Sequence, residues 1–178
     1  MKKVVLSFAV AMLALAANAQ KKEGSKDMHF SVGARVGLPI GDFSNGSSIG
    51  FGGEVGVEKM FSDKLSGIGS VGYMTFSGKE QTRTTTIMGQ TFTTKIPGVT
   101  TSFIPVTVGA RYYAAEQFFV GARLGYAVSG NSGGKGGFLY EPQIGYNHEK
   151  FQAAVGYNGI SVTGGTLSFI GLNVAYKF

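Results

Sequence analysis

Phe30-Ser31-Val32-Gly33-Ala34-Arg35-Val36-Gly37-Leu38-Pro39-Ile40 alternates apolar residues with small or polar ones. Phe30, Val32, Ala34, Val36, Leu38 and Ile40 share one face, and Ser31, Gly33, Arg35 and Gly37 share the other. A period of two belongs to an extended strand, whose successive side chains point to opposite sides. No helical stripe competes with it from Met28 onward. The pattern then recurs along the chain. Ile49, Phe51, Val55 and Val57 stand against Gly50, Gly52, Glu54, Gly56 and Glu58. Ile104, Val106, Val108, Ala110 and Tyr112 stand against Thr107, Gly109 and Arg111, and Phe118, Val120, Ala122, Leu124 and Tyr126 against Gly121, Arg123 and Gly125.

Three more runs follow. Phe138, Tyr140, Ile144 and Tyr146 oppose Glu141, Gln143 and Gly145; Phe151, Ala153, Val155 and Tyr157 oppose Gln152, Gly156 and Asn158. Ile170, Leu172, Val174, Tyr176 and Phe178 oppose Gly171, Asn173 and Lys177. The run from Leu65 to Ser77 alternates poorly. Leu65, Val71 and Tyr73 have one parity and Ile68, Met74 and Phe76 the other, so a β-bulge that switches parity is expected there. Eight strands result, most of them near the roughly 9–11 residues that a tilted strand needs to cross a bilayer.

The connections alternate in kind. Ser62-Asp63-Lys64, Ala114-Ala115-Glu116-Gln117 and Asn147-His148-Glu149-Lys150 are tight and polar. Asp42–Ser48, Gly78 to about Gly98 and Ser129–Gly137 are looser, with a short Thr163-Gly164-Gly165 as the last. Short turns on one rim and longer loops on the other are the asymmetry of an outer-membrane barrel, so the tight turns and both chain ends are expected at the periplasmic side.

Export is written into the start of the chain. Met1-Lys2-Lys3 is basic, Val4–Ala16 is uncharged and mostly apolar, and Ala17-Asn18-Ala19 is a small-x-small cleavage site. Together these predict a signal peptide over 1–19, too short for a spanning helix of about 20 apolar residues. Residues 20–27 read as a short polar lead-in, and 28–178 as one barrel domain. Removing Lys2 and Lys3 lowers the formal charge from +6 to +4. That excess suits anionic head groups. Without a concentrated basic patch, an exported chain has no use for nucleic acid. The absence of cysteine excludes disulfides and thiolate chemistry.

Alternation alone also fits a soluble eight-stranded carrier. The second face argues otherwise, being mostly Gly, Ser and Ala with isolated charges, which makes a poor solvent face and a good lining for a narrow barrel. Arg35, Arg111, Arg123 and Lys177 are expected to meet Glu54, Glu58 and Glu141 there, since an unpaired buried charge costs several kcal/mol, on the order of the desolvation penalty itself. If the first loop is symmetric about Ser44 and Asn45, Arg35 and Glu54 lie at one depth. The opposite face is nearly uncharged, with Lys59 at a strand end beside Phe61. Aromatics collect toward both rims: Phe61, Tyr112, Phe118, Tyr146, Phe151, Tyr176 and Phe178 at one, and Phe51, Tyr73, Tyr126 and Phe138 at the other. They read as girdles at the two lipid interfaces.

These strands and turns, with the closing Asn173-Val174-Ala175-Tyr176-Lys177-Phe178, resemble the small outer-membrane β-barrels of the OmpA/OmpX-like kind, and more narrowly the outer membrane protein beta-barrel domain group. The resemblance covers essentially the whole mature chain. It implies an all-β, eight-stranded antiparallel up-and-down transmembrane barrel in the cell outer membrane. It also implies that Leu172, Val174, Tyr176 and Phe178 form the terminal signal read by the barrel-assembly machinery. No appended peptidoglycan-binding domain, and hence no cell-wall tether, is expected.

Chemistry-bearing groups are few. His29 opens the first strand and His148 sits in a tight turn, both at the periplasmic end. A lipid hydrolase facing the outer leaflet needs its base at the other rim, within reach of its nucleophile. Two distant histidines without cysteine make a poor metal site. The Gly-rich stretches Gly50–Gly56 and Gly130–Gly136 lack the strand–loop–helix context and spacing of nucleotide loops. No enzyme activity, cofactor or metal is expected.

The Gly78–Gly98 segment stands apart. Gln81-Thr82-Arg83-Thr84-Thr85-Thr86 and Thr91-Phe92-Thr93-Thr94-Lys95 flank Met88-Gly89-Gln90 and predict a hairpin beyond the membrane. Arg83, Thr85, Met88, Phe92 and Lys95 are its candidate contacts for an extracellular protein or surface partner, met by strand addition. The sequence therefore predicts a non-enzymatic barrel embedded in outer-membrane lipid, with an envelope-structural or surface-binding role and a charge-plugged interior. A narrow porin-like channel and an accessory barrel of a secretion or assembly complex are the alternatives.

Overall fold

Period-two alternation becomes ten strands in the computed structural model, which describes residues 28–87, 90–131 and 133–178. The expected signal peptide, the lead-in and Met88 lie outside the described residues. The strands are β1 (Met28–Ile40), β2 (Ser47–Ser62), β3 (Leu65–Gly78), β4 (Gln81–Ile87), β5 (Gln90–Ile96), β6 (Thr101–Tyr113), β7 (Phe118–Ser129), β8 (Gly137–Asn147), β9 (Phe151–Val162) and β10 (Gly165–Lys177). Eight of them close into an antiparallel barrel in the order β1-β10-β9-β8-β7-β6-β3-β2. β4 and β5 pair with each other as a separate two-stranded sheet.

Closure is made by β1 on β10, in a register that runs from Ser31 opposite Lys177 to Ile40 opposite Ser168. The Phe178 amide extends it by donating to the Phe30 carbonyl at 2.9 Å. A bilayer core offers no water to an open sheet edge, so a spanning sheet has to close in this way. Connections are tight where the sequence puts them. Ser62 pairs with Leu65 across Asp63-Lys64, and Val162 pairs with Gly165 across Thr163-Gly164. Gly164 takes a φ of 102°, a left-handed conformation that a Cβ disfavours.

Two expectations need correction. β3 carries no parity switch. It pairs with β2 in one unbroken register from Met60↔Ser66 to Gly50↔Phe76, and the irregularities fall at the strand's two ends. Ile68, Met74 and Phe76 simply point into the barrel, while Leu65, Val71 and Tyr73 point out. Apolar residues on both faces blur the alternation without moving it. The first loop is also not symmetric. Gly41, at φ 58°, leads into a one-turn helix, α1 (Phe43–Gly46), and Arg35 lies opposite Gly52 rather than Glu54. Glu54 faces Gly33, two residues further along.

The outer surface is an apolar belt. Val32, Val108, Val120, Leu124, Ile144, Val155, Leu172 and Val174 are all exposed. On a water-soluble protein a continuous patch of this size would drive aggregation; against acyl chains it is the required face. Both aromatic groups stand on this surface. At the short-turn rim, Phe118 packs edge-on against Tyr146 at 5.1 Å, and Phe151, Tyr176 and Phe178 form a chain of edge contacts at 5.3 and 5.1 Å.

Candidate functional site

The inward-facing residues stack in three layers along the bore. Nearest the short turns, Glu58 is surrounded by donors. Arg111 Nη1 reaches Glu58 Oε2 at 2.7 Å, the Tyr113 hydroxyl donates to Oε1 at 2.7 Å, Ser66 Oγ donates to Oε1 at 2.5 Å, and Gln152 Nε2 donates to Oε2 at 3.3 Å. The Arg111 guanidinium lies 4.4 Å over the centre of the Phe119 ring, a favourable cation–π placement. Lys177 lies in this layer, but its amine donates to Asn147 Oδ1 at 2.6 Å instead of meeting a carboxylate.

At mid-depth a closed ring of charge spans the bore. Arg35 donates through Nη1 to Glu54 Oε2 at 2.9 Å and through Nη2 to both Glu141 oxygens at 3.0 Å. Arg123 completes the circuit, Nη1 to Glu54 Oε1 at 2.7 Å and Nη2 to Glu141 Oε1 at 2.6 Å. Each guanidinium therefore bridges two carboxylates, and each carboxylate two guanidiniums. Charge-assisted bonds of this length are the strong ones. Asn158 and Asn173 add bonds to Arg35 and Glu54, and Ser70 accepts from Arg123. Arg35, Arg123 and Glu141 are about 97 % buried or more. Glycines make the room: a Cβ on Gly156 would sit 3.0 Å from Glu141 Cγ, and one on Gly171 would sit 2.8 Å from Asn158 Nδ2.

Above the ring, toward the long loops, the bore is apolar. Met74, Phe76, Phe103, Leu139, Ile160 and Phe169 are all buried, and Phe43 of α1 closes over them. The Phe76 ring lies 5.0 Å from both Phe43 and Phe169. Sequence reasoning missed this layer because it assigned the inner face to small and polar residues. The signal was present in Phe76, Phe103, Leu139, Ile160 and Phe169, which carry the parity of the polar face near the long-loop end of their strands.

The charged ring residues come from β1, β2, β7 and β8, and the lower ion pair, Glu58 with Arg111, from β2 and β6. Arg35, Glu54, Arg123 and Glu141 thus form one cluster, Glu58 and Arg111 a second, and Lys177 joins neither by an ion pair. The two clusters are separated by a cavity of about 20 Å³ lined by Glu54, Ser70, Arg111, Gln152 and Asn173. A polar void of this size holds about one water molecule. His29 opens β1 directly opposite Glu58 in the β1–β2 register, His148 lies in the short turn between β8 and β9, and among the described residues no group of three or more acidic, histidine or cysteine residues could hold a metal.

At the opposite rim, α1, the base of the β4–β5 hairpin and the β9–β10 turn enclose an open cleft of about 570 Å³, lined in part by Phe43, Lys79, Ile96, Val99 and Leu167. Lys79 Nζ ties the hairpin base to the Ser44 carbonyl at 2.7 Å. Of the candidate hairpin contacts, Arg83, Thr85 and Phe92 lie on the two strands and Lys95 forms an exposed pair with Glu80 at 3.0 Å.

A closed barrel with an apolar belt, two aromatic girdles and paired charges buried in its bore is a transmembrane barrel of the bacterial outer membrane. The chain belongs to the outer membrane protein beta-barrel domain family, whose model matches residues 7–178. Among solved structures it is similar to Ail, the attachment invasion locus protein of Yersinia pestis, at 16% identity and a TM-score of 0.56 over 86% of this chain and 100% of that one. The same protein in a phospholipid bilayer nanodisc aligns at 15% identity and a TM-score of 0.55, again over 86% and 100%. A de novo designed transmembrane β-barrel aligns at 13% identity and a TM-score of 0.51, over 86% and 98%. At these identities the likeness is one of fold. No curated protein matches the chain.

Proposed function

We propose that this protein is a closed, non-enzymatic scaffold that works through its extracellular rim and not through its bore. The observation that carries this reading is the stacking inside the barrel. A ring of paired charges spans the lumen, and a layer of aromatic and aliphatic side chains lies directly above it. An ion crossing that path would have to part the ring and then enter an apolar layer, and the desolvation cost of either step is large. Eight-stranded barrels have lumens that side chains can fill, and this one is filled with two chemistries in series.

What remains for contact with the outside is the rim. The hairpin carrying Arg83, Thr85, Met88, Phe92 and Lys95 and the cleft at its base provide an edge and a concave surface for a surface partner. On the other side of the membrane, Leu172, Val174, Tyr176 and Phe178 present the outward face of the last strand to the barrel-assembly machinery, after removal of residues 1–19. Planar-bilayer conductance of the refolded protein tests the scaffold reading. A silent membrane at all voltages that the bilayer tolerates is expected. Steady, discrete openings in the wild type would replace this reading with that of a narrow channel.

A further inference from the structure

The two strands of the hairpin are near-copies of one another. β4 reads Gln-Thr-Arg-Thr-Thr-Thr-Ile and β5 reads Gln-Thr-Phe-Thr-Thr-Lys-Ile. Only Arg83 against Phe92 and Thr86 against Lys95 differ. The strands pair antiparallel with Gln81 opposite Ile96, Thr84 opposite Thr93 and Ile87 opposite Gln90. In terms of the repeat, the first position meets the seventh and the fourth meets the fourth. The hairpin itself is therefore an instance of this heptad pairing with a copy of itself.

The outer edges of both strands are open. Among the described residues, β4 and β5 pair only with each other, and neither joins the barrel. An isolated two-stranded ribbon is marginal in water, whereas three or more strands hold together. Natural proteins guard such edges with charge, proline or bulges. Here each strand has one basic residue, no proline and no bulge, over seven residues rich in β-branched threonine. Short segments of that kind are the ones that pair with themselves.

We propose that the hairpin joins two copies of this protein by strand addition, the outer edge of one heptad pairing antiparallel with the same edge of the second copy. This rests on the rim-scaffold reading above and names its partner as a second copy of this chain. Pairing of a strand with itself in the hairpin's own register places a two-fold axis at the central threonine, Thr84 for β4 or Thr93 for β5. That axis is perpendicular to the strands, so the two hairpins point in opposite directions. For hairpins that project from the membrane, the two barrels then lie in apposed membranes, and the contact is homotypic adhesion between surfaces. The joined hairpins form a four-stranded sheet, which meets the stability requirement that each ribbon alone does not.

The test uses the protein reconstituted into phosphatidylcholine vesicles, whose zwitterionic lipid supplies no bridging charge, with clustering followed by light scattering. Wild-type vesicles should scatter several-fold more than empty ones. At the two-fold axis residue 84 meets its own copy, so Thr84→Lys vesicles should fall to the empty-vesicle level, as should Thr84→Glu vesicles. Mixing the two should restore clustering. The corresponding exchange at Thr93 reads the β5 edge, and loss with same-position rescue at either site supports the proposal. Each substitution leaves an uncharged threonine opposite it within the hairpin, and the gel shift on boiling verifies that the barrel is folded. Wild-type vesicles that stay dispersed, substitutions without effect at both sites, or loss that the same-position Lys and Glu mixture fails to rescue would overturn homotypic pairing. None of these outcomes touches the scaffold reading, which fails only if the bilayer conducts.

Discussion

Glu141→Gln removes one charge from the mid-depth ring while keeping the side chain's size. In the wild type, Glu141 accepts from Arg35 at 3.0 Å and from Arg123 at 2.6 Å, and Glu54 holds the opposite sides of the same two guanidiniums. After the substitution, two arginines share one carboxylate and the ring carries a net positive charge inside a lumen that offers little water. Removing one partner of a buried ion pair costs about 3–5 kcal/mol, because the partner's charge stays buried without compensation. With a urea dependence of about 2 kcal/mol per M, the unfolding midpoint should fall by about 1.5–2.5 M. The assay is urea unfolding of the refolded protein in detergent micelles, followed by far-ultraviolet circular dichroism. The control is the double substitution Arg123→Met with Glu141→Leu, which leaves Arg35 and Glu54 as a balanced pair and replaces the other pair by apolar volume. Such replacements are often nearly neutral, so the double variant should be more stable than Glu141→Gln. A single variant within about 0.5 kcal/mol of wild type, the range of ordinary surface changes, would refute the reasoning. So would a double variant less stable than the single, since the ring would then not act as a charge-balanced unit.

Phe76→Ala empties the centre of the apolar layer beneath Phe43, where the ring is fully buried, and should cost about 3–5 kcal/mol in the same titration. Gly125→Ala directs a Cβ to within 2.0 Å of the Val106 carbonyl oxygen on the neighbouring strand. It should destabilise the barrel by about 1–3 kcal/mol, as overpacking does, and shows as a lower yield of the heat-shifted folded band. Deleting Phe178 removes an exposed ring and one closing backbone bond. Stability of the refolded protein should change by about 1 kcal/mol, the net worth of one hydrogen bond, while the amount recovered in outer-membrane fractions of cells should fall sharply. An equal yield in those fractions would remove the terminal strand from the assembly role.

The period of two was decisive before any coordinates. It comes from the pleat alone, so residues two apart share a face wherever a strand forms. The belt from Val32 to Val174, the two girdles, the short and long rims and the inward placement of Arg35, Glu54, Arg111, Arg123 and Glu141 were therefore legible from spacing. What alternation does not carry is the relative shift of neighbouring strands, and that shift decides which inward groups meet. The turn at Gly41 and the helix Phe43–Gly46 set Arg35 opposite Gly52, and the closed circuit with Glu54, Arg123 and Glu141 follows from the tilt of four strands at once. Lys177 has the correct parity, but at its depth it meets Asn147. The apolar layer was hidden for a related reason. Phe76, Phe103 and Phe169 share a face with polar residues, and a face average conceals how composition changes along the bore. Sequence fixes the side to which each residue points; depth and partner are set only when the sheet closes, because both depend on contacts between strands far apart in the chain.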